Sequence, residues 1–154
     1  MYKGEFKNDL FNGLGCFTSK DFTEFSGKWS KNMKKGNFNI KFLNGDTFEG
    51  KYKQNMKNGY GAHIFEDESS YKGMYENDLW NGKGEFINKF GVIHEGYFLE
   101  GKLHGSCIVT DTNNAKLFIK YNNNKADGQG QLRMNNKKYE VVYKNGRLIS
   151  KYEI

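Results

Sequence analysis

The chain has 154 residues, a length typical of one domain, and 16% of them are aromatic, which argues against a disordered segment. Its 19 glycines and complete lack of proline favour many short strands over helices. The formal net charge of +6 permits attraction to acidic proteins, lipids or nucleic acid without specifying one of them, and no apolar run is long enough to cross a membrane as a helix.

One pattern recurs along the whole chain at a spacing of 23 residues. Most copies have a ring at the first position, glycine at the third and another ring at the fifth. The full copies begin at Tyr2, Phe25, Phe48, Tyr71, His94 and Leu117, and a partial copy begins at Tyr139. The twelfth position is glycine in every full copy: Gly13, Gly36, Gly59, Gly82, Gly105 and Gly128. The regular spacing predicts a single repeat domain over residues 1–154.

Each copy is predicted to form a β-hairpin. Its patterned positions fall into two groups, the first, third and fifth and then the twelfth, fourteenth and sixteenth, and each group alternates as a strand does. The segment between the groups, rich in Asn, Asp, Lys and Gly, is the predicted turn. Glycine on one strand allows a ring from a neighbouring strand to lie flat over the backbone. We therefore predict an all-β fold, an elongated single-layer antiparallel sheet of stacked hairpins.

The copies YKGEFKNDLFNGLGCF, FEGKYKQNMKNGYGAH and YKGMYENDLWNGKGEF resemble the MORN (membrane occupation and recognition nexus) repeat. The resemblance extends from residue 2 to about residue 152, with departures at Phe38, Cys107, Leu117, Ile119 and Val141. It implies a strip of hairpins that serves as a scaffold and binds an extended or helical segment of a protein partner. The family also includes members that form dimers, members for which phospholipid binding is claimed, and modules that accompany an enzyme domain in a larger protein.

The row of rings on the glycine-lined face is the predicted partner-binding surface, because a single-layer sheet has no second layer to cover it. The row members expected to contact a partner are Trp29, Tyr52, Tyr75, Phe98 and Tyr121. Trp80 lies off the repeat positions, beside Leu79 in the predicted turn of the fourth copy. We expect Trp80 either to contact a partner or to lie back over the next hairpin.

Two copies are markedly basic. Copy two (25–47) has five lysines against one aspartate, and copy six (117–138) has five basic residues against one aspartate, so each carries a net charge of +4. Peripheral binding to anionic phospholipids, including phosphoinositides, is therefore the alternative function. Its candidate residues are Lys28, Lys31, Lys34, Lys35, Arg133, Lys137 and Lys138. The competing interpretation is that these side chains keep the sheet soluble, and Lys34 and Lys35 fall in a predicted turn.

No pattern in the sequence predicts catalysis, a metal site or a cofactor. The NGKG segment at 81–84 is predicted to be a hairpin turn that runs into a glycine beneath a ring. It recurs as part of the repeat and no helix follows it, so a phosphate-binding loop is disfavoured. His63, His94 and His104 lack metal-ligand spacing. Cys16 and Cys107 belong to copies one and five and are predicted to be too far apart for a disulfide. We therefore predict that the protein is not an enzyme. We also predict that it does not bind nucleic acid, because the repeat already uses most of the aromatic residues that could stack on bases.

The ends of the predicted sheet and the location of the protein complete the expectations. Unpaired edge strands at the two ends could template a homodimer, and the more apolar segment YEVVYKNGRLISKYEI at the C-terminal end is a candidate for dimerisation or capping. The N-terminal residues lack the apolar core of a signal peptide. We expect a cytoplasmic protein, associated with the cytoskeleton or a membrane surface, that acts as a scaffold or as the targeting module of a larger protein.

Overall fold

The computed structural model describes all residues from 1 to 154 and is entirely β-structure, in two compact units, Met1–Leu79 and Trp80–Ile154. The first unit contains β1 (Tyr2–Lys7), β2 (Leu10–Thr18), β3 (Glu24–Ser30), β4 (Met33–Lys41), β5 (Thr47–Lys53), β6 (Met56–Ile64) and β7 (Ser70–Glu76). Each strand pairs antiparallel with the next one in sequence. The predicted all-β fold of stacked antiparallel hairpins is confirmed.

The second unit repeats this arrangement. Its strands are β8 (Leu79–Ile87), β9 (Ile93–Leu99), β10 (Lys102–Thr110), β11 (Lys116–Asn122), β12 (Lys125–Ala126), β13 (Gly128–Met134), β14 (Lys137–Lys144) and β15 (Arg147–Glu153). They pair antiparallel in sequence order, except that the short β12 pairs only with β11 and β13 continues the sheet. The chain forms no helix that is long and apolar enough to cross a membrane.

The turn within each hairpin is shorter than predicted. It consists of two residues, both with positive φ, such as Gln54 (51°) and Asn55 (66°). Positive φ at both central residues is the geometry of a type I′ turn, which suits the twist of paired strands and favours Asn, Asp and Gly. The second strand of each hairpin therefore begins about three residues earlier than predicted. As a result Asn81 and Gly82 of the NGKG segment lie inside β8 and not in a turn.

The twelfth-position glycines have a role that the sequence pattern did not reveal. All six have positive φ, for example 96° at Gly59, beside which the pairing register of the hairpin shifts. A glycine with positive φ accommodates the extra residue of a β-bulge at little steric cost. These glycines thus set the bulge of each hairpin, while the third- and fourteenth-position glycines accept the rings.

Rings lie over glycine pairs as predicted. Gly50 and Gly61 are direct cross-strand partners, and a Cβ built on either would lie within 2.7 Å of the Phe48 Cζ atom. Tyr2 covers Gly15 in the same way, with ring atoms 2.5 and 2.6 Å from the built Cβ position. Where the fourteenth glycine is replaced, the new side chain fills that space itself, because Phe38 is 1% exposed between Gly27 and Gly50.

Consecutive hairpins are joined at their turns by a reciprocal pair of hydrogen bonds. The Asp78 backbone N–H donates to the Lys57 carbonyl, and the Asp78 Oδ1 atom accepts the Lys57 backbone N–H at 2.7 Å. Asn32 and Asn124 bind the preceding hairpin in the same way. The turn residue therefore provides both the positive φ and a side-chain acceptor, which explains why Asn and Asp recur there.

Candidate protein-binding face

One face of the first unit carries Trp29, Phe48, Tyr52, Tyr71 and Tyr75 and is called the aromatic face. Three of these rings, Trp29, Tyr52 and Tyr75, were predicted to contact a partner, yet they are only 5%, 7% and 3% exposed. In the second unit Phe98 is 4% exposed and Tyr121 is half-buried. These rings form the chain's own core, and direct contact between them and a partner stays a prediction.

The burial of Trp29 shows how one sheet layer covers its rings. Its ring makes edge-to-face contacts with Tyr2, Phe11 and Phe38, at centroid distances of 5.9, 5.7 and 5.2 Å. Its indole N–H donates to the Gly15 carbonyl at 3.1 Å. Rings on successive hairpins therefore bury one another, and a polar indole atom is satisfied within the layer.

A second tier of side chains lies over this row, at the tenth position of each copy. In the first unit the position is occupied by Phe11, Lys34 and Lys57, all half-buried, and in the second unit by Trp80, Leu103 and Ala126. The Phe11 ring stacks on Tyr2 at 3.8 Å. Because the tenth position has no constant residue type, repeat alignment did not single it out. Position relative to the turn was a usable signal instead, because each of these residues is the second one after the turn in its copy.

Trp80 belongs to this tier. It was predicted to lie in a turn, and that prediction is wrong. It is in β8, and its ring lies 5.5 Å from the rings of both Phe86 and Phe98. The predicted turn was placed too late in the repeat, because the two-residue turn ends at Asp78. Of the two expectations for Trp80, packing over a neighbouring hairpin agrees with these contacts.

Lys34 was also assigned to a turn and instead lies on the aromatic face in β4. Its ammonium group is 4.7 Å from the Phe25 ring centroid and 5.0 Å from that of Tyr52. Burial lowers the Lys34 pKa from its usual value, and the nearby Asp78 charge opposes part of this effect. Lys34 thus combines an apolar stem, a cation–π contact and a partly desolvated charge.

A polar cluster is embedded in the same face around His63. The His63 Nε2 atom lies 3.1 Å from Asp46 Oδ2, and its Nδ1 atom lies 3.4 Å from Lys57 Nζ. The imidazole is flanked by nearly parallel rings of Phe42 and Phe65, at 5.7 and 4.2 Å. Burial lowers the His63 pKa and the Lys57 charge lowers it further, although Asp46 acts in the opposite sense. The ring is therefore a half-buried packing group with satisfied nitrogens.

This cluster predicts that stability falls with acidification. The His63 pKa is lowered in the folded chain, so the unfolded chain binds the proton more readily. The stability that is present above about pH 6.5 is therefore lost as the pH drops through the His63 pKa of the folded state. The Asp46 carboxyl, whose pKa is also lowered, adds a loss of the same sign at more acidic pH. We expect the free energy of unfolding, measured by urea titration, to decrease from pH 7.5 to pH 5.5.

The His63→Leu variant should show a shallower pH dependence over that interval. His94 also has a lowered pKa because it is buried, so the comparison between wild type and variant isolates the His63 contribution. An unchanged slope in the variant would contradict the assignment.

Within copy two, the basic residues proposed for lipid binding do not share one surface. Lys34 faces the rings, Lys31 is in a turn, and Lys28 lies on the other side of β3 opposite Leu14. Lys35, the next residue in β4, is exposed. In copy six, Arg133 lies over the Phe118 ring at 4.7 Å, Lys137 pairs with Glu153 at 2.9 Å, and Lys138 is exposed.

The second unit has a shallow pocket of about 340 Å³ lined mostly by apolar atoms of Tyr97, Leu99, Gly82 and Gly105. His104 also lines it, and its Nδ1 atom is buried without a hydrogen-bond partner. No group of three or more His, Cys, Asp or Glu side chains lies close enough to hold a metal ion. Both cysteines are free, and burial raises the pKa of the Cys107 thiol to about 11. The Cys107 thiol donates to the Gly105 backbone carbonyl.

Comparison with known proteins gives one family match. The family model for the MORN repeat matches residues 2–24, 48–70, 71–88 and 94–116. A search of curated protein sequences finds no significant match.

Among solved structures, the chain is similar to the SAS-4 (dCPAP) TCP domain of Drosophila melanogaster, in complex with a proline-rich motif of Ana2 (dSTIL). The sequences are 14% identical, the TM-score is 0.48, and the match covers 92% of this chain and 83% of that one. A second similar structure is the TCP10 domain of Danio rerio CPAP with a peptide of STIL, at 10% identity and a TM-score of 0.26, covering 100% of both chains. Neither similarity supports a conclusion about what this chain binds.

Proposed function

Because this chain belongs to the MORN repeat family, whose model matches more than half of its residues, we propose that it is a non-catalytic scaffold that binds a protein partner along the aromatic face. The observation that carries the proposal is the tier of half-buried side chains that lies over the buried ring row. In the first unit the tier residues Phe11, Lys34 and Lys57 are accompanied on the same face by the half-buried rings of Phe17, Phe25 and Phe42.

Together, the tier residues and these three rings have the composition of a recognition surface. Aromatic residues are enriched in protein interfaces because they present a large contact area with few rotatable bonds. The Phe17 and Phe25 rings lie 6.1 Å apart, and Phe25 is also in contact with the Lys34 ammonium. The row beneath is fully packed, so binding does not require these rings to be reordered and little conformational entropy is lost.

Lys34 defines the polar part of the expected partner. Its partly buried ammonium group has no carboxylate within ion-pair distance in the chain. A carboxylate supplied by the partner would restore the interaction that desolvation has weakened. The partner segment is therefore expected to present apolar side chains to the Phe17 and Phe25 region and an Asp or Glu to Lys34.

The test uses two variants with two substitutions each, located on opposite faces of the first unit. Lys34→Glu with Phe42→Ser alters the aromatic face, whereas Tyr60→Ser with Met74→Ser alters a cross-strand pair on the opposite face, at residues that are 49% and 40% exposed. Partners captured by the wild-type chain are identified by mass spectrometry, purified and titrated calorimetrically against all three proteins. Thermal unfolding checks that each variant is folded.

We expect the aromatic-face variant to weaken binding at least about tenfold, since contact residues at an interface each contribute on the order of 1 kcal/mol or more. The opposite-face variant should bind within about threefold of wild type. The reverse order would overturn the proposal. So would the capture of no protein together with flotation on phosphoinositide vesicles at low salt, which would favour the anionic-lipid alternative instead.

A further inference from the structure

Lys57 lies in the tier over the ring row, and its charge has no ion-pair partner. The side chain is half-buried, and its Nζ atom lies 4.3, 5.5 and 5.9 Å from the ring centroids of Phe48, Tyr75 and Phe42. No carboxylate oxygen lies within ion-pair distance of this atom. Its hydrogen-bond partner is the His63 Nδ1 atom, at 3.4 Å. The partly desolvated ammonium group therefore relies on an imidazole nitrogen.

The chemistry of these groups determines which imidazole nitrogen of His63 carries the proton. An ammonium group can only donate a hydrogen bond, so the Nδ1 atom is the acceptor and carries no hydrogen. The neutral ring then has its proton on Nε2, and this N–H donates to the Asp46 Oδ2 atom at 3.1 Å. The other carboxylate oxygen of Asp46 accepts the Glu66 backbone N–H at 2.9 Å, which holds the carboxylate in place. His63 thus presents a bare nitrogen to Lys57.

Packing alone does not require a histidine at this place. The sixteenth position is apolar in every other full copy, where the residues are Phe17, Ile40, Phe86, Val109 and Leu132. An apolar side chain could equally fill the space between the rings of Phe42 and Phe65. What the histidine adds is a nitrogen on each side, one bonded to Asp46 and the other to Lys57.

The three side chains have the arrangement that activates a nucleophile. Activation requires a base within hydrogen-bond reach of the nucleophile and a third group that orients the base. Lys57 supplies the amine, His63 the base and Asp46 the orienting carboxylate. Burial lowers the Lys57 pKa from its usual value and outweighs the opposing charges of Asp78 and Asp46. The fraction of free amine, which is the form that attacks an electrophile, is therefore larger than at an exposed lysine.

We propose that Lys57 is a covalent modification site that accepts an acyl group from small acyl thioesters. The Nζ lone pair attacks the thioester carbonyl carbon, the C–S bond breaks, and the sulfur leaves with the bonding electrons as a thiolate. The proton that the nitrogen loses passes to the His63 Nδ1 atom, and from the imidazolium to the thiolate. The Asp46 carboxylate stabilises that imidazolium.

The products are a free thiol and an uncharged amide on Lys57. The amide is stable, so the step is a single acylation of the chain and not a catalytic turnover. Acylation also removes one positive charge from the aromatic face. The proposal goes beyond the scaffold function, since it assigns covalent chemistry to the tier and holds whether or not a partner binds.

The second copy of the repeat provides a matched control within the same chain. Lys34 occupies the same tenth position, is half-buried, contacts two rings, and has a pKa that burial lowers. The sixteenth position of that copy is Ile40, where the third copy has His63. Lys34 therefore shares the ring contacts and the desolvation of Lys57 but lacks the imidazole. A difference in reactivity between the two lysines reports the effect of the base.

The test measures the acylation rate of individual lysines in the folded chain. The chain is treated at mildly alkaline pH with a small neutral acetyl thioester, S-acetyl-N-acetylcysteamine. Acetylation is quantified by mass spectrometry after digestion with a protease that does not cleave at lysine. We expect Lys57 to react at least about tenfold faster than Lys34 and the exposed Lys51, since a positioned general base contributes about 10²–10⁴-fold in enzymes. In concentrated urea the three lysines should react at similar rates.

Two variants assign the effect to the imidazole. His63→Leu removes the base, suits the repeat because the sixth copy has Leu132 at that position, and should lower the Lys57 rate to near that of Lys34. Asp46→Asn keeps the imidazole but removes the charge that stabilises the imidazolium, and should lower the Lys57 rate several-fold. The Lys34 rate should stay unchanged in both variants, and circular dichroism checks that each is folded.

Two results would overturn the proposal. In one, Lys57 reacts no faster than Lys34 in the folded wild-type chain. In the other, Lys57 keeps its full rate in the folded variants, which would attribute its reactivity to desolvation alone. Should His63→Leu fail to fold, Asp46→Asn and the Lys34 comparison within the wild-type chain carry the same decision.

Discussion

Replacing Trp29 by alanine should reduce the free energy of unfolding by about 3–5 kcal/mol, the usual cost of removing a large buried aromatic side chain. The ring is 5% exposed and contacts rings from three other strands, β1, β2 and β4. A single-layer sheet has no second layer that could collapse into the space. Trp29→Phe should cost less, because it keeps most of the ring contacts and loses mainly the hydrogen bond to the Gly15 carbonyl.

Urea denaturation followed by circular dichroism measures both variants. Tyr60→Ala, which truncates a 49% exposed ring on the opposite face, is the control and should change stability by no more than about 0.5 kcal/mol. A Trp29→Ala chain within 1 kcal/mol of wild type would contradict the packing described above. The expected loss also means that partner binding is better tested in the overlying tier, because removal of a row ring would destabilise the fold as well as change the surface.

Replacing Gly61 by alanine should destabilise the chain by about 1–3 kcal/mol through overpacking. The added Cβ would lie 2.7 Å from Phe48 Cζ and 2.9 Å from its Cε2 atom, and Phe48 is itself 2% exposed and cannot move into solvent without losing its own burial. The glycine is therefore required by the ring above it.

A double-mutant cycle identifies that ring as the cause. Phe48→Leu removes the Cζ and Cε atoms that the new methyl group would meet, and alone should cost no more than about 1.5 kcal/mol if the leucine repacks. The double variant Gly61→Ala/Phe48→Leu should then be more stable than the sum of the single losses predicts, by at least about 0.5 kcal/mol. Simple additivity would show that the glycine is needed for another reason.

Much of the fold could be predicted from the sequence because the repeat imposes the same local rules at each copy. The two predicted groups of patterned positions lie on paired strands, and the structure adds their register, as in Phe48 opposite His63 and Gly50 opposite Gly61. The assignment of Asn81 and Gly82 to a turn was wrong, because composition cannot distinguish a glycine that closes a turn from one that forms a bulge. A turn glycine and a bulge glycine both need positive φ, and only the pairing register shows which residues lie opposite each other across the hairpin.

The candidate site was less accessible to sequence reasoning. Conservation within the repeat identified Tyr52 and Tyr75 as important, but a constant aromatic residue is equally the signature of a core position. In the first unit the variable tenth position proved to lie at the surface of the face, where Lys34 contacts two rings at once. Which side chains lie at the surface of the face depends on where the second strand of each hairpin begins. The two-residue turn sets that starting point.

The sequence by itself determined the hairpin repeat, the alternation of its faces and the need for glycine beneath the rings, because these follow from the two-residue period of a strand and from the volume of a side chain. Only the tertiary structure decided that the ring row is buried and that Trp80 and Lys34 lie over it. Burial of a side chain depends on the neighbouring hairpins, whose bulges and turns determine how closely they cover it. The repeat pattern in the sequence does not specify that placement.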